Sequence, residues 1–307
     1  MKFGISIIVR GDDATPDTFN KMAESAERDA WDCLWASDHL IMPAMKMSRY
    51  PGRADGQLPG PWKKTYYQPF SILNFLAGVT STVRLGMSVL ILPMRNPIEV
   101  AAQVAEMDQL SNGRVNFGIG VGWYREEFEA LGYDFFNRGR RTDDGLGIIR
   151  RLWTEQEVSA NGPHYHFSDA QMGPKPKQSP VPIYVGGNTP HALRRLARFG
   201  DVWHPFKISP EQLRDARPIL DAELKRQGRN VSGFPIAVKI PLVFGENAPQ
   251  KGQSCTEGRT SDIIDSLKRY RDAGATEFCF DMLTETCEVA LETMQRFAQE
   301  VRPHLDD

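Results

Sequence analysis

The chain has 307 residues, 41% hydrophobic and 25% charged, enough to bury a large core in one α/β domain spanning residues 1–307. Its 37 basic and 39 acidic residues leave a formal charge of −2, which predicts no general attraction to nucleic acid or to an anionic membrane. Cys33, Cys255, Cys279 and Cys287 lack metal-ligand spacing and disulfide density, no apolar run reaches membrane-spanning length, and the opening residues read as a strand rather than a signal peptide, so a reduced cytoplasm is the expected location.

Short β-rich runs alternate with helical patterns along the whole chain. Phe3 to Val9 reads as a strand, followed by Thr15 as N-cap, Pro16 at the first helical position and apolar residues at Phe19, Met22, Ala23, Ala26 and Ala30. Cys33 to Ala36 is the second strand, and a long loop leads to a helix at Phe70 to Ala77. Strand Val83 to Val89, helix Pro97 to Leu110 and strand Val115 to Gly120 follow, with helical segments toward Trp153. After a hairpin excursion through "VSANGPHYHF", strand "VPIYVGG" precedes a helix with Pro190 near its start and Gly200 at its exit. "DVWH" is a sixth strand, Pro210 to Gln227 a helix, Ile236 to Phe244 a seventh strand, Asp262 to Ala273 a helix, Glu277 to Phe280 an eighth strand and Glu288 to Glu300 the last helix. Eight strand–helix units predict a (β/α)8 TIM barrel with a long loop after strand 2 and a hairpin before strand 5; an open doubly wound sheet is the structural alternative.

In a barrel, the C-terminal strand ends face the catalytic end, which singles out Asp38 and His39 after the second strand. His39 suits proton exchange near neutral pH, and Asp38 would fix its tautomer, bind a polar ring edge or simply cap the following turn. Glycines mark three other exits: Gly86 in "LGMSVLILP", Gly118, Gly120 and Gly122 in "GIGVGW", and Gly186 and Gly187 in "VGGN". Paired glycines before a helix expose N–H groups suited to phosphate, although the same residues also serve as tight backbone crossings. "GIGVGW" lacks the third-glycine spacing of a dinucleotide fingerprint.

Four blocks, "LWASDHL", "VRLGMSVLILPMRNP", "AEMDQLSNGRVNFGIGVGW" and "PIYVGGNTPHALRRLARFGDVW", together resemble the bacterial luciferase-like flavin and deazaflavin oxidoreductases, with details closest to the branch that uses coenzyme F420. The resemblance implies a non-prolyl cis peptide at Ser88 and Val89 beneath the cofactor ring. It also places Asp38 and His39 at the ring edge, Gly118, Gly120 and Gly122 on the ribityl side, and Gly186, Gly187 and Asn188 at the phosphate turn, where Thr189 adds a hydroxyl. It implies F420-dependent hydride transfer to or from a small organic substrate, with His39 as acid/base and Asp38 in support, and a homodimer. FMN with oxygen is the alternative cofactor chemistry, and a non-enzymatic barrel scaffold or interaction protein is the alternative of a different class.

Val121 stands where sugar-phosphate dehydrogenases of the family carry an acid, so their substrate does not transfer. Lys239 on the seventh strand is compatible with solvent, a barrel acid, cofactor phosphate or substrate as its partner. Glu126 and Glu127 read either as secondary acid/base candidates or as an exposed acidic turn. The loop from Ile41 to Tyr67, with Met42, Met45, Met47, Tyr50, Trp62, Tyr66 and Tyr67, reads as a lid over a flat ligand or as an interface.

Overall fold

The computed structural model describes residues 1–42, 47–51, 55–57, 66–246 and 256–305. In chain order its elements are β1 (Lys2–Ser6), α1 (Pro16–Arg28), β2 (Cys33–Ala36), α2 (Pro69–Val79), β3 (Arg84–Met87), β4 (Leu90–Ile91), α3 (Pro97–Leu110), β5 (Val115–Gly120), α4 (Arg125–Ala130), α5 (Arg138–Thr154), β6 (Val158–Asn161) and β7 (His166–Ala170). They continue with β8 (Ile183–Gly186), α6 (Pro190–Phe199), β9 (Val202–His204), α7 (Pro210–Arg226), β10 (Ala237–Phe244), β11 (Thr256–Gly258), α8 (Thr260–Asp272), β12 (Glu277–Asp281) and α9 (Cys287–Arg296).

Parallel pairing runs β10-β12-β1-β2-β3-β5-β8-β9. The ring closes where β9 meets β10: the Trp203 and Lys239 N–H groups donate to Pro235 and Pro205, and Lys207 N–H donates to the Lys239 carbonyl. This is the expected eight-stranded barrel. The hairpin before its fifth barrel strand is antiparallel β6-β7.

Local chemistry sets the helix starts. Proline occupies the first turn of α1, α2, α3, α6 and α7, where its missing N–H is harmless. Thr15, Asn96, Thr189 and Ser209 cap four of these helices with side-chain acceptors, Ser209 in a reciprocal box with Gln212. The barrel strands bury nearly every residue because helices cover one face and interior side chains the other.

Several boundaries differ from the sequence expectation for physical reasons. The first strand leaves the ladder after Ser6; Ile7 to Val9 stay buried, and the Val9 carbonyl accepts from Tyr67 N–H at the return of the long loop. The third strand breaks at a cis peptide between Ser88 and Val89 and resumes as β4 against β5. The last helix passes into a wider π-type turn at Phe297–Val301. β11, a three-residue strand pairing the end of β10, has no signal in the hydrophobic pattern. Met45, Trp62 and Cys255 lie outside the described residues.

Candidate functional site

A two-lobed cleft opens at the C-terminal ends of the strands. One lobe, about 300 Å³, is built on Ser88, Val89, Gly120, Gly122, Gly186 and Gly187; the other, about 430 Å³, lies against the loops after β1 and β12. Ser37, His39, Tyr50, Phe206 and Lys239 line both lobes, so these residues stand at the divide.

The first lobe is a flat ledge made by missing side chains. A Cβ at Gly120 would lie 2.5 Å from Val89 Cγ2, and one at Gly186 would lie 3.2 Å from both the Ile119 carbonyl oxygen and Val89 Cγ1. Gly122 has a φ of +76°, and a Cβ there would press on Ile91 and Phe128. The ledge therefore offers backbone and valine methyl groups, a surface that fits a planar ring. Gly118 takes a different place: its Cβ would fall 1.7 Å from the Met87 carbonyl oxygen, so it serves the close crossing of β3 and β5 and does not line the cleft. Gly86 likewise makes room for protein, because a Cβ would meet the Trp35 ring at 2.2 Å.

Beneath the ledge, Ser88 is braced from four sides. Its N–H donates to the Ala36 carbonyl (2.8 Å), and its carbonyl accepts from Lys239 Nζ (3.0 Å). His204 Nδ1 lies 2.7 Å from the Ala237 carbonyl, which can only accept, so Nδ1 carries the proton and Nε2 accepts from the Ser88 hydroxyl at 2.8 Å. The Cys279 thiol lies 3.6 Å from Ser88 Oγ. Burial, with the nearby Lys239 charge, lowers the His204 pKa to about 3, so this imidazole is neutral. Trp35 stacks on it at 5.2 Å and closes the floor.

His39 is mostly buried, with Nδ1 2.9 Å from Glu127 Oε2 and its ring edge-on to Tyr66 and Trp123. Glu127 is fully buried; its other oxygen accepts from the N–H groups of Leu40 (2.6 Å) and Ile41 (3.2 Å). The exposed acidic turn expected of Glu127 is thus corrected: α4 delivers its carboxylate inward to orient the histidine. The residue order hid this because Glu127 is 88 positions from His39, and only the barrel brings them together.

Asp38 does not support the His39 ring. Its carboxylate is buried and gripped by both Arg95 Nη atoms at 2.7 Å each, and Oδ2 also accepts from Ile91 N–H at 2.8 Å. Of the readings open to Asp38, the tautomer-fixing position is taken by Glu127, while Asp38 lines the first lobe and ties the end of β2 to the segment after the ledge.

At the β8 exit, Gly187 has a φ of +109° and its carbonyl accepts from Trp203 Nε1. Thr189 caps α6 by accepting from Ala192 N–H, and Asn188 exchanges hydrogen bonds with the backbone of Phe206. Gly186 and Gly187 line the first lobe while Asn188 and Thr189 stand outside its lining, shaping the turn rather than forming the wall.

The described part of the long loop returns over the cleft. Glu126 accepts from the N–H groups of Met47 and Ser48 and from the Ser48 hydroxyl, and Tyr50 packs edge-on to Trp123 at 5.3 Å. Burial works to raise the Glu126 pKa, but these hydrogen bonds prevail and hold it below the usual carboxylate range. Tyr66 bonds Ser37 through its hydroxyl, and burial pushes its phenol well up.

The model of the family described as luciferase-like monooxygenase matches residues 1–251. The Mycobacterium tuberculosis protein Rv0940c, itself uncharacterized, is 30% identical over 288 residues, covering 91% of this chain and 93% of that one. An F420-dependent glucose-6-phosphate dehydrogenase from Kineococcus radiotolerans is 31% identical over 247 residues, 76% of this chain and 66% of that protein. Among solved structures, an F420-dependent secondary alcohol dehydrogenase in complex with an F420-acetone adduct shares the fold with a TM-score of 0.81 at 18% identity, covering 100% of this chain and 99% of that one.

Proposed function

Because the chain belongs to the luciferase-like monooxygenase family, we propose that it is a coenzyme F420-dependent oxidoreductase, moving a hydride between the deazaflavin and a small organic substrate with His39 as acid/base. The observation that carries this reading is the placement of His39, held by buried Glu127, at the divide between the glycine-rich ledge and the second lobe. The F420-dependent relative in sequence favours the deazaflavin over FMN.

When bound, the cofactor supplies a ring carbon that gives or takes a hydride. Ser88, Val89, Gly120 and Gly186 would hold the ring, Gly122 its ribityl side, and the Gly187 turn with the amino end of α6 its phosphate, where backbone N–H groups and the helix dipole favour an anion. Glu127 accepts from Nδ1–H and so presents Nε2 of His39 as the atom that takes the substrate hydroxyl proton in oxidation and returns it in reduction. Tyr50, held over the cleft beside Trp123, would limit water around the reacting carbon. Two copies would pair as a homodimer, which light scattering across concentrations would show as twice the chain mass.

The test is a broad anaerobic screen of alcohols and carbonyl compounds with oxidised or reduced F420. A substrate deuterated at the reacting carbon should deliver its label to F420. Product formed only with FMN and oxygen would replace this reading with a flavin monooxygenase.

A further inference from the structure

Ser37 and Tyr66 form a hydroxyl pair in the cleft that neither the ledge nor the His39–Glu127 contact uses. Ser37 lies two residues before His39 at the exit of β2, and both side chains line both lobes, while Asp38 between them reaches Arg95. Tyr66 arrives from the return of the long loop, where its backbone pairs with Arg10, and its ring stands edge-on to His39 at 5.6 Å. The two hydroxyl oxygens are 2.8 Å apart, and both residues are half-buried. Two hydroxyls carry two protons, and the bond between them uses one. Among the described residues neither oxygen has another partner, so one O–H is left over beside His39. A phenol is a stronger donor than an alcohol, which makes Tyr66 the donor within the pair and Ser37 the acceptor whose own proton is free. Placement agrees, because Ser37 stands at the divide between the lobes whereas Tyr66 lines the second lobe alone.

We propose that the free Ser37 O–H, aligned by Tyr66, is the hydrogen-bond donor that holds the substrate oxygen against His39. The inference rests on the hydride-transfer reading above. In alcohol oxidation the hydroxyl proton passes to His39 Nε2, the C–H electron pair leaves with its hydrogen for the oxidised cofactor ring, and the C=O bond forms. Negative charge gathers on the substrate oxygen wherever proton loss runs ahead of hydride loss, and Ser37 stabilises it without giving up its own proton. In the reverse direction the same donor polarises the carbonyl that accepts the hydride. The bond that Ser37 accepts from Tyr66 strengthens the one it donates. His39 alone fixes one contact to the oxygen; the second contact fixes the direction in which the reacting carbon faces the ledge.

The experiment is anaerobic single-turnover reduction of F420 by the alcohol that reacts fastest in the screen. It compares the native protein with Ser37→Ala, Ser37→Thr, Tyr66→Phe and the Ser37→Ala/Tyr66→Phe double variant. Ser37→Ala should slow the step about 10²-fold, as expected of a lost oxyanion donor, with F420 affinity within about threefold, and Ser37→Thr should stay within about tenfold of native. Tyr66→Phe should slow the step about tenfold alone and not at all in the Ser37→Ala background, because Tyr66 acts through Ser37. Losses that multiply instead would make Tyr66 merely structural and overturn its aligning role. The pH midpoint that His39 imparts should be unchanged in Ser37→Ala while the plateau rate falls. Without turnover, the ketone product, isotopically labelled at its carbonyl carbon, is bound to the protein with oxidised F420. Its C=O infrared band should move back toward the free value in Ser37→Ala and not in Ser37→Thr. A native rate in folded Ser37→Ala overturns the proposal, and so does a loss confined to F420 affinity, which would give the serine to the cofactor. If Ser37→Ala does not fold, as thermal unfolding would show, Ser37→Cys, a weak donor of similar size, takes its place. Failure of the underlying reading is a separate result: the native protein would then reduce no F420 with any alcohol, and the donor role would fall with it.

Discussion

Replacing Glu127 with glutamine tests the orientation of His39 at nearly constant volume. The native carboxylate accepts from Nδ1–H at 2.9 Å and from two backbone N–H groups through its other oxygen. In the variant the amide oxygen can keep Leu40 and Ile41, which leaves an NH₂ group facing Nδ1. That donor favours the opposite tautomer, with the proton on Nε2, where it blocks acceptance of a substrate proton. A positioned acid/base contributes about 10²–10⁴-fold, so the step that takes a proton from substrate should slow by about 10²-fold or more. Losing one hydrogen bond to a charged group costs about 1.5–3 kcal/mol of stability, which a fold of this size tolerates. The assay is single-turnover reduction of F420 by a substrate from the screen, alongside the cofactor dissociation constant. A folded Glu127→Gln protein with native rate and native affinity refutes the orienting role, and loss of affinity with an unchanged rate would make Glu127 a loop anchor only.

Asp38→Asn breaks a buried bidentate pair with Arg95 and should cost about 3 kcal/mol in urea unfolding; native stability with lost turnover would return Asp38 to the ring edge. Gly120→Ala places a methyl 2.5 Å from Val89 Cγ2 and should weaken cofactor binding at least about tenfold by displacing the ledge, an effect measured by titration and absent if the ring lies elsewhere. Gly187→Val sets a β-branched residue at a φ of +109° with its Cβ 3.0 Å from that of Ala192, so thermal stability should fall together with affinity. His204 has a folded pKa near 3 against about 6.5 unfolded. Between those values the unfolded chain binds the extra proton, so stability is fully present above about pH 6.5 and drains away as pH falls toward 3. Urea unfolding at several pH values should show that acid slope flattened in His204→Gln, and an identical slope in both proteins would place the acid sensitivity elsewhere.

Much of the barrel was legible because its signals are local. Pro16, Pro97, Pro190 and Pro210 mark helix starts, and Cys33–Ala36 and Val115–Gly120 form strands with the expected ends. The short β4 and β11 were not, since two or three residues carry no periodicity. At the site, the glycines were visible as glycines, but their tasks depend on what a Cβ would strike: a ledge valine at Gly120, a neighbouring strand's carbonyl at Gly118, an interior tryptophan at Gly86. Adjacency in sequence suggested that Asp38 serves His39. The chain turns between them, sending one carboxylate to Arg95 and leaving the histidine to an acid 88 positions away. His204 was read only as the end of a short strand, because nothing in "DVWH" reveals that the strand faces Ser88 across the barrel.

The central claim is that the ledge and the His39–Glu127 pair serve a deazaflavin in direct hydride transfer. The most direct measurement is an anaerobic titration of the purified protein with F420 and with FMN side by side, followed by single-turnover reduction of the bound cofactor by substrate. The account predicts one F420 per chain, preference for F420 over FMN, and reduction at a rate that oxygen does not change. Exclusive tight binding of FMN, with product formed only when oxygen is admitted, would contradict it.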